Sequence, residues 1–418
     1  MFTRSARTAL MTGGAVIGLM LASAAPAAAQ NSEVEMLRGQ VQELLNRIER
    51  LEKSPAAAPA PTVTAAPTIA QGNPKVKVTF GGWINRAVTY ADNGADDDFL
   101  FVDNNGASSR FNISASGKVN DSLSLGSVLE LEAISNNARS TGLESQSTAL
   151  SFNERKMEVW AQVENVGRIW LGQGDMASNV VSEVDLSGTA NLGIYSDIGA
   201  TFGGLNFATG GASTTVNVQS AFQNFDGLNR DDRVRFDTTS IAGFTASASA
   251  SHGGNYDAAL RYAGKFGDTS VSAAVGYWDF ADDFGSPFED GYAGSISVKL
   301  ASGINATVAA GEQNYNTGTI DSATYWYGKL GYAAKFSPIG QTAFAIDYYE
   351  GSDIRTATTA GVTVGVASDA TAYGVTMVQQ LDAISSEVYV SVRNHELDAG
   401  GVNYRDVLGV MTGARVRF

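Results

Sequence analysis

Side chains suited to covalent chemistry are scarce in this chain. Its 418 residues include no Cys and only two His, which disfavours a disulfide scaffold, a zinc site and a thiol nucleophile. Ser251-His252 sets a hydroxyl beside an imidazole, and His395 lies in Arg393-Asn394-His395-Glu396. A barrel enzyme such as a phospholipase needs a Ser activated by a His. Neither segment carries a recognisable nucleophile motif, so the chain reads as a non-enzyme with both His at a rim. The acidic runs Asp96-Asp97-Asp98, Asp282-Asp283 and Glu289-Asp290 offer hard oxygen ligands. They lack the spacing of a 12-residue calcium loop. Exposed solubilising acid is the preferred reading and no cofactor is expected; weak Ca²⁺ or Mg²⁺ binding there, free or bridging lipopolysaccharide phosphates, is the alternative.

Charge and composition point away from nucleic acid and towards an envelope protein. The chain carries a net charge of −15, with 46 Gly and eight Pro. Six Pro (Pro26, Pro55, Pro59, Pro61, Pro67 and Pro74) precede residue 75, which leaves only Pro287 and Pro338 beyond it. Proline cannot donate to a β ladder, so the long Pro-poor, Gly-rich remainder reads as one large all-β unit. No run beyond the N-terminus is apolar enough for a spanning helix.

Three segments precede that unit. Residues 1–29 read as a secretory signal: Arg4 and Arg7, an apolar stretch from Ala9 to Ala22, and Ala27-Ala28-Ala29 as a cleavage site. Within 30–53, Val34, Leu37, Val41, Leu44, Ile48 and Leu51 form an a/d seam, with Arg47 and Glu52 placed to bridge helices. So short a coiled coil depends on other contacts between chains. Residues 54–74 are rich in Ala, Pro and Thr and carry no charge, as an extended periplasmic spacer would.

From residue 75 the apolar period becomes two. Leu123, Leu125, Leu129 and Leu131 alternate with Ser124, Glu130 and Glu132, and Val388, Val390 and Val392 with Glu387, Tyr389, Ser391 and Arg393. Seven tight turns, such as Ile241-Ala242-Gly243 and Ser337-Pro338-Ile339-Gly340, interleave with eight longer polar connections. These lie near 92–107, 136–148, 175–231, 253–256, 281–290, 316–322, 354–369 and 399–406. Sixteen strands with short turns at one end and long loops at the other predict a closed, antiparallel transmembrane β-barrel. Trp83, Tyr90, Tyr277, Tyr325, Tyr327, Tyr348 and Tyr349 are expected in interfacial girdles. Trp170, Trp278 and Trp326 are expected to face the lumen.

Several of these strands carry a family resemblance. Ser109-Arg110-Phe111-Asn112-Ile113 with Gly117 resembles the second strand of Gram-negative general porins. Lys156 to Gln173 is similar to their fourth and fifth strands. Arg233-Val234-Arg235-Phe236-Asp237 followed by Ala242-Gly243-Phe244 resembles a strand-turn-strand of the family, and the chain ends in the family's terminal Phe, Phe418. The resemblance implies a homotrimeric, 16-stranded diffusion channel in the bacterial outer membrane. It also implies that Phe418 signals to the outer-membrane assembly machinery, and that loop 175–231 folds inward to narrow the pore. On that carry-over the loop contributes Asp175, Glu183 and Asp185, opposed by a wall cluster of Arg110, Lys156, Arg233 and Arg235. Two positions depart from the family pattern: Lys156 and Gln173 each stand where it has Arg, which weakens the basic side.

The expected activity is passive diffusion of small hydrophilic solutes and ions through a charged constriction. Residues 75–418 hold 22 Lys/Arg against 38 Asp/Glu, so a mild cation preference is expected. The expected partners are a homotrimer, outer-membrane lipids and lipopolysaccharide, with no nucleic acid. A solute-specific channel remains an alternative. So does a structural barrel whose coiled coil tethers it to peptidoglycan.

Overall fold

Period-two alternation becomes a cylinder here because every strand finds a partner on both sides. The computed structural model describes residues 75–281, 286–359 and 362–418. The proposed signal (1–29), the seam Val34, Leu37, Val41, Leu44, Ile48 and Leu51 with Arg47 and Glu52, and the spacer 54–74 lie outside the described residues.

Sixteen antiparallel strands run in chain order. They are β1 Lys77–Asp92, β2 in two segments (Asp97–Asp103 and Arg110–Lys118), β3 Leu123–Ile134, β4 Ser151–Val163, β5 Gly167–Asp175 and β6 Arg230–Thr238. There follow β7 Phe244–Ser251, β8 Tyr256–Phe266, β9 Thr269–Asp279, β10 Phe288–Lys299 and β11 Ile304–Tyr315. The last five are β12 Ser322–Ser337, β13 Gly340–Ser352, β14 Ser368–Leu381, β15 Ser386–Ala399 and β16 Val407–Arg417. The barrel closes where β1 pairs with β16, from Trp83↔Arg417 to Asp92↔Leu408. Beyond that ladder Phe418 exchanges two backbone bonds of 3.1 Å with Gly82, and its ring stacks on Phe80 at 5.8 Å. A closed ladder leaves no edge, and in lipid that is the condition for spanning with strands.

Side-chain identity decides the two faces. On β11, Ile304, Ala306, Val308 and Ala310 are exposed while Asn305, Thr307 and Ala309 are buried. The outward positions thus form an apolar band, and the buried core lies inside the cylinder. All seven tight turns occur where expected. In the β6–β7 connection, Ala242 (φ +51°) and Gly243 (φ +89°) make a two-residue hairpin closed by Ile241 and Phe244. That geometry matches the strand twist.

Three expectations need correction. The segment 92–107 is not one loop, because Asp97–Asp103 already pairs with β1 and only residues 104–109 break the strand. Trp83 faces inward, not into a girdle, and gives its Nε1–H to the Ala107 carbonyl at 3.0 Å; Tyr325, Tyr327 and Tyr349 are not girdle residues either. They point inward and are buried, with Tyr325 against Phe225 and Tyr349. Trp326 points outward instead of into the lumen and gives its Nε1–H to Glu350. Where aromatics occupy consecutive positions, alternation cannot name the inner face. What covers that face decides it. Trp278 is fully buried inside, and Trp170 also faces inward, donating to Asp237 at 2.7 Å.

Candidate pore constriction

The charged wall is built on β2 to β6. Opposite Glu130 and Leu131, β4 carries a bulge. A bulge sets two residues against one, and both Arg155 and Lys156 thereby point inward. Arg155 reaches Glu130 at 2.8 Å and Glu132 at 3.2 Å. Arg110, on β2, lies 3.3 Å from Glu130 with its guanidinium 4.9 Å over the Trp83 ring. Lys156 pairs with Asp175, which also takes Arg230 at 2.7 Å. Arg235 bonds Asp237 at 2.8 Å and donates to the Met176 carbonyl at 3.0 Å. These pairs keep 10–26% of their side-chain surface exposed, so lumen water reaches them. Arg233 differs: it is buried with Glu158 at 2.5 Å, and both side chains are at most 3% exposed.

The β5–β6 connection, Met176 to Asn229, lies against the inner wall. It contains short helices α1 (Gly199–Phe202) and α2 (Val218–Ala221), and a hairpin of Asn206–Thr209 with Ala212–Asn217. Polar groups on the wall take up its backbone. Asp257 receives Ser178, Ser295 and Ser297 receive the amides of Val184 and Leu186 at 2.9 Å each, and Ser295 donates to the Val181 carbonyl. Lys329 on β12 reaches Asp185 at 2.7 Å and the Ile194 carbonyl at 2.6 Å. Arg393 on β15, paired with Asp347, also reaches the Tyr195 carbonyl. Gly193 passes so close to Thr376 that a Cβ there would overlap its side chain. The loop therefore coats the wall from β7 to β15, with its own Phe202 and Phe222 packed on His395 and Phe222 also on Tyr349.

A second charged group sits on the loop itself. Glu183 accepts from Asn224 at 2.9 Å, Asp226 accepts from the Val180 amide at 2.6 Å, and Asp197 pairs with Arg139. Among the described residues neither Glu183 nor Asp226 has a salt-bridge partner within 4 Å. Withdrawal from bulk water, reinforced by the Asp197 charge, pushes the Glu183 carboxyl up to about 7. Burial and Glu183 push Asp226 up as well. Arg230 lies within electrostatic reach of Glu183 and Asp226 on one side and of Arg110 on the other.

The structure brings Arg110, Lys156, Arg235 and Asp175 into one band but redraws their roles. Asp175 ends β5 and belongs to the wall, not to an acidic loop tip. Asp185 does not oppose the arginines: its side chain is 3% exposed, held by Lys329 on the far wall. Arg233 is a buried pair and not a pore-facing cation. Glu183 alone of the three expected acids sits in the loop's carboxylate cluster. Sequence reasoning missed Arg155, Arg230, Arg139, Asp197 and Asp226. Arg155 had a signal, since outward apolar positions shift from Phe152 to Met157 and an even-numbered alternation becomes odd. Asp197 and Asp226 lie in irregular chain, where no period exists to read.

The two His lie in different settings. His395 is fully buried, not at a rim, with Nδ1 3.0 Å from the Val407 carbonyl oxygen and its ring between Phe202 and Phe222. His252 follows β7 in a turn. Among the described residues no three His, Asp or Glu come together to hold a metal ion. Asp282 and Asp283 lie outside the described residues.

Comparison with known proteins agrees with this geometry. The family model for Gram-negative porins matches residues 56–400. Among solved structures, the anion-selective porin from Comamonas acidovorans superposes with a TM-score of 0.55 at 16% identity, covering 82% of this chain and all of that one. In-vitro folded OmpT of Vibrio cholerae, in its trimer form, gives 0.51 at 15% identity, covering 82% and 99%. Salmonella typhi OmpF, in complex with daunomycin, gives 0.52 at 12% identity, covering 82% and 98%. No curated protein matches the sequence.

Proposed function

The chain belongs to the Gram-negative porin family, an outer-membrane β-barrel, and from that premise we propose a passive diffusion channel with a mild preference for cations. One observation carries the selectivity. The wall cations Arg110, Arg155, Lys156, Arg230 and Arg235 each have a carboxylate within salt-bridge distance, Glu130 and Asp175 serving two of them apiece. Glu183 and Asp226 on the loop have no ion-pair partner within 4 Å among the described residues. As they ionise they add negative charge at the narrowing, and a low-dielectric channel focuses that field on passing ions. Solutes move down their gradients with no bond made or broken.

The same reading supplies the partners. The subunits assemble as a homotrimer, the outward apolar band meets outer-membrane lipid and lipopolysaccharide, and the exposed Phe418 is what the assembly machinery reads. The residues before 75 extend into the periplasm. Asp96, Asp97 and Asp98 attract Ca²⁺ or Mg²⁺ only loosely, since two of them already accept from Tyr90 and Gln146. Planar-bilayer recording of purified protein tests the reading: ohmic steps and a reversal potential of cationic sign support it, while an absence of conductance overturns it.

A further inference from the structure

Most arginines on β2 to β6 have a carboxylate beside them: Arg110, Arg155, Arg230, Arg233 and Arg235 all lie within 4 Å of one. Arg168, one residue into β5 from the turn, has none within that distance among the described residues. It nonetheless faces the lumen. Directly opposed residues of an antiparallel ladder share a face. The row through Arg168 runs Lys118, Ser124, Gln162, Arg168, Asp237 and Ser247, and Ser247 is buried on the inner wall. Lys118 ends β2 at the same turn side. Both cations therefore look into the short-turn mouth of the channel.

Rings, not charges, hold the Arg168 guanidinium. It lies 4.3 Å from the centroid of Trp160 and 4.9 Å from that of Trp170. Those rings are themselves fixed. Trp160 packs on Gly126, where a Cβ would overlap it, and Trp170 is tied to Asp237 at 2.7 Å. Arg168 Nε donates to Gln162 Oε1 at 2.9 Å, while Nη1 and Nη2 have no hydrogen-bond partner among the described residues. Stacking thus restricts the side chain without consuming its terminal donors. Such a planar fork matches the oxygens of a phosphate or carboxylate. The nearby acids do not occupy it. Asp237 is taken by Arg235 at 2.8 Å. Asp121 and Glu164 stand exposed in the adjoining turns and form no ion pair among the described residues.

Lys118 supplies a second charge on the same row. It is three strand spacings from Arg168, about 14 Å between backbones at the usual strand separation, with polar Ser124 and Gln162 between them. Two long side chains can close across that span on one ligand carrying several charges. Chloride can engage only one of them. Elsewhere around the mouth, Lys265 and Lys299 share a row with Ser270 and buried Asn305, so they too face inward. No ring or side-chain hydrogen bond holds either lysine among the described residues. They add to the field of the mouth but present no fixed fork.

We infer that Arg168, held by Trp160 and Trp170, forms with Lys118 a binding site for polyvalent oxyanions at the turn-side mouth of the lumen. This rests on the diffusion channel proposed above and adds a class of solute that it retains. The test uses the full-length protein in planar bilayers at 0.1 M KCl, with inorganic tripolyphosphate as the probe. Because the chain has no Cys, biotin on Val402→Cys, in the connection 399–406, lets streptavidin mark the loop side. Tripolyphosphate should interrupt the current at lower concentration from the turn side than from the loop side. Arg168→Gln should raise the half-blocking concentration about tenfold, the loss of roughly one charge-assisted hydrogen bond. Arg168→Lys, which keeps the charge without the fork, should recover only part of that loss. Lys118→Gln should have a smaller effect, and Lys299→Gln almost none. Absence of block in the unaltered channel, equal block from both sides, or an equal effect of Lys299→Gln and Arg168→Gln overturns the site. Conductance without the probe reads the other claim separately: a channel that conducts but is not blocked keeps the diffusion reading and loses this site, and absence of conductance overturns both.

Discussion

Two parts of the inner wall use the same ion pairs to opposite ends. On β2 to β6, Arg110, Arg155, Lys156 and Asp175 keep part of their surface in water. On β12 to β15, Lys329 with Asp185 and Arg393 with Asp347 are at most 3% exposed. Fully exposed pairs contribute about 0–1 kcal/mol each; the first group, 10–26% exposed, lies between that limit and a fully buried pair and presents charge to the lumen. Removing one partner of a buried pair strands the other, at about 3–5 kcal/mol. The second group clamps the loop. Burial, not residue type, separates pore lining from anchor.

The largest test of that division breaks a clamp. Asp185→Ala leaves the Lys329 ammonium buried with only the Ile194 carbonyl, and the loop segment around it should leave the wall. Liposome swelling should then admit larger neutral sugars and single-channel current should become noisier. An unchanged exclusion limit contradicts the anchoring role. On the lining side, Arg110→Ala together with Arg155→Ala should cost less in thermal stability than breaking the clamp does. It should nonetheless shift the reversal potential further towards cations, because Glu130 and Glu132 lose their partners. A large loss of stability without a shift in selectivity would reverse the assignment of roles.

A smaller effect is expected from pH. Glu183 titrates higher in the folded protein than in the unfolded chain, so its contribution to stability is full below the ordinary carboxyl range. That contribution is lost as pH rises through about 7. The loop is held best when Glu183 is protonated, and above neutrality the constriction gains negative charge. Cation preference should rise between pH 5.5 and 8.5, and Glu183→Gln should flatten the rise. The smallest effect belongs to Lys335 with Asp382, a pair 68% and 45% exposed by a turn. Lys335→Ala should change neither melting temperature nor conductance measurably, and if it does, exposure is the wrong criterion.

The architecture was readable in advance because a barrel repeats one simple pattern. Alternation in segments such as 304–310, together with Ala242-Gly243 and the other turn signals, placed all seven tight turns. Faces were harder. Tyr325-Trp326-Tyr327 has an aromatic at every position, so its parity waited on Phe225 covering Tyr325. The bulge beside Glu130 brought Arg155 inward against simple alternation. Asp185 reads in sequence as a loop acid like any other, and only a contact 144 residues away in the chain makes it an anchor. Glu183, Asp197 and Asp226 meet because the loop folds back on itself, which no local spacing encodes.

The central claim is that the unpaired carboxylates on the inward loop, facing wall cations that each have a carboxylate beside them, set the sign of selectivity. The most direct measurement is the reversal potential of the purified protein in planar bilayers across a tenfold KCl gradient at pH 8. The account predicts a potential of cationic sign, reduced when Glu183 and Asp226 are both replaced by their amides. A potential of anionic sign in the unaltered channel would contradict it.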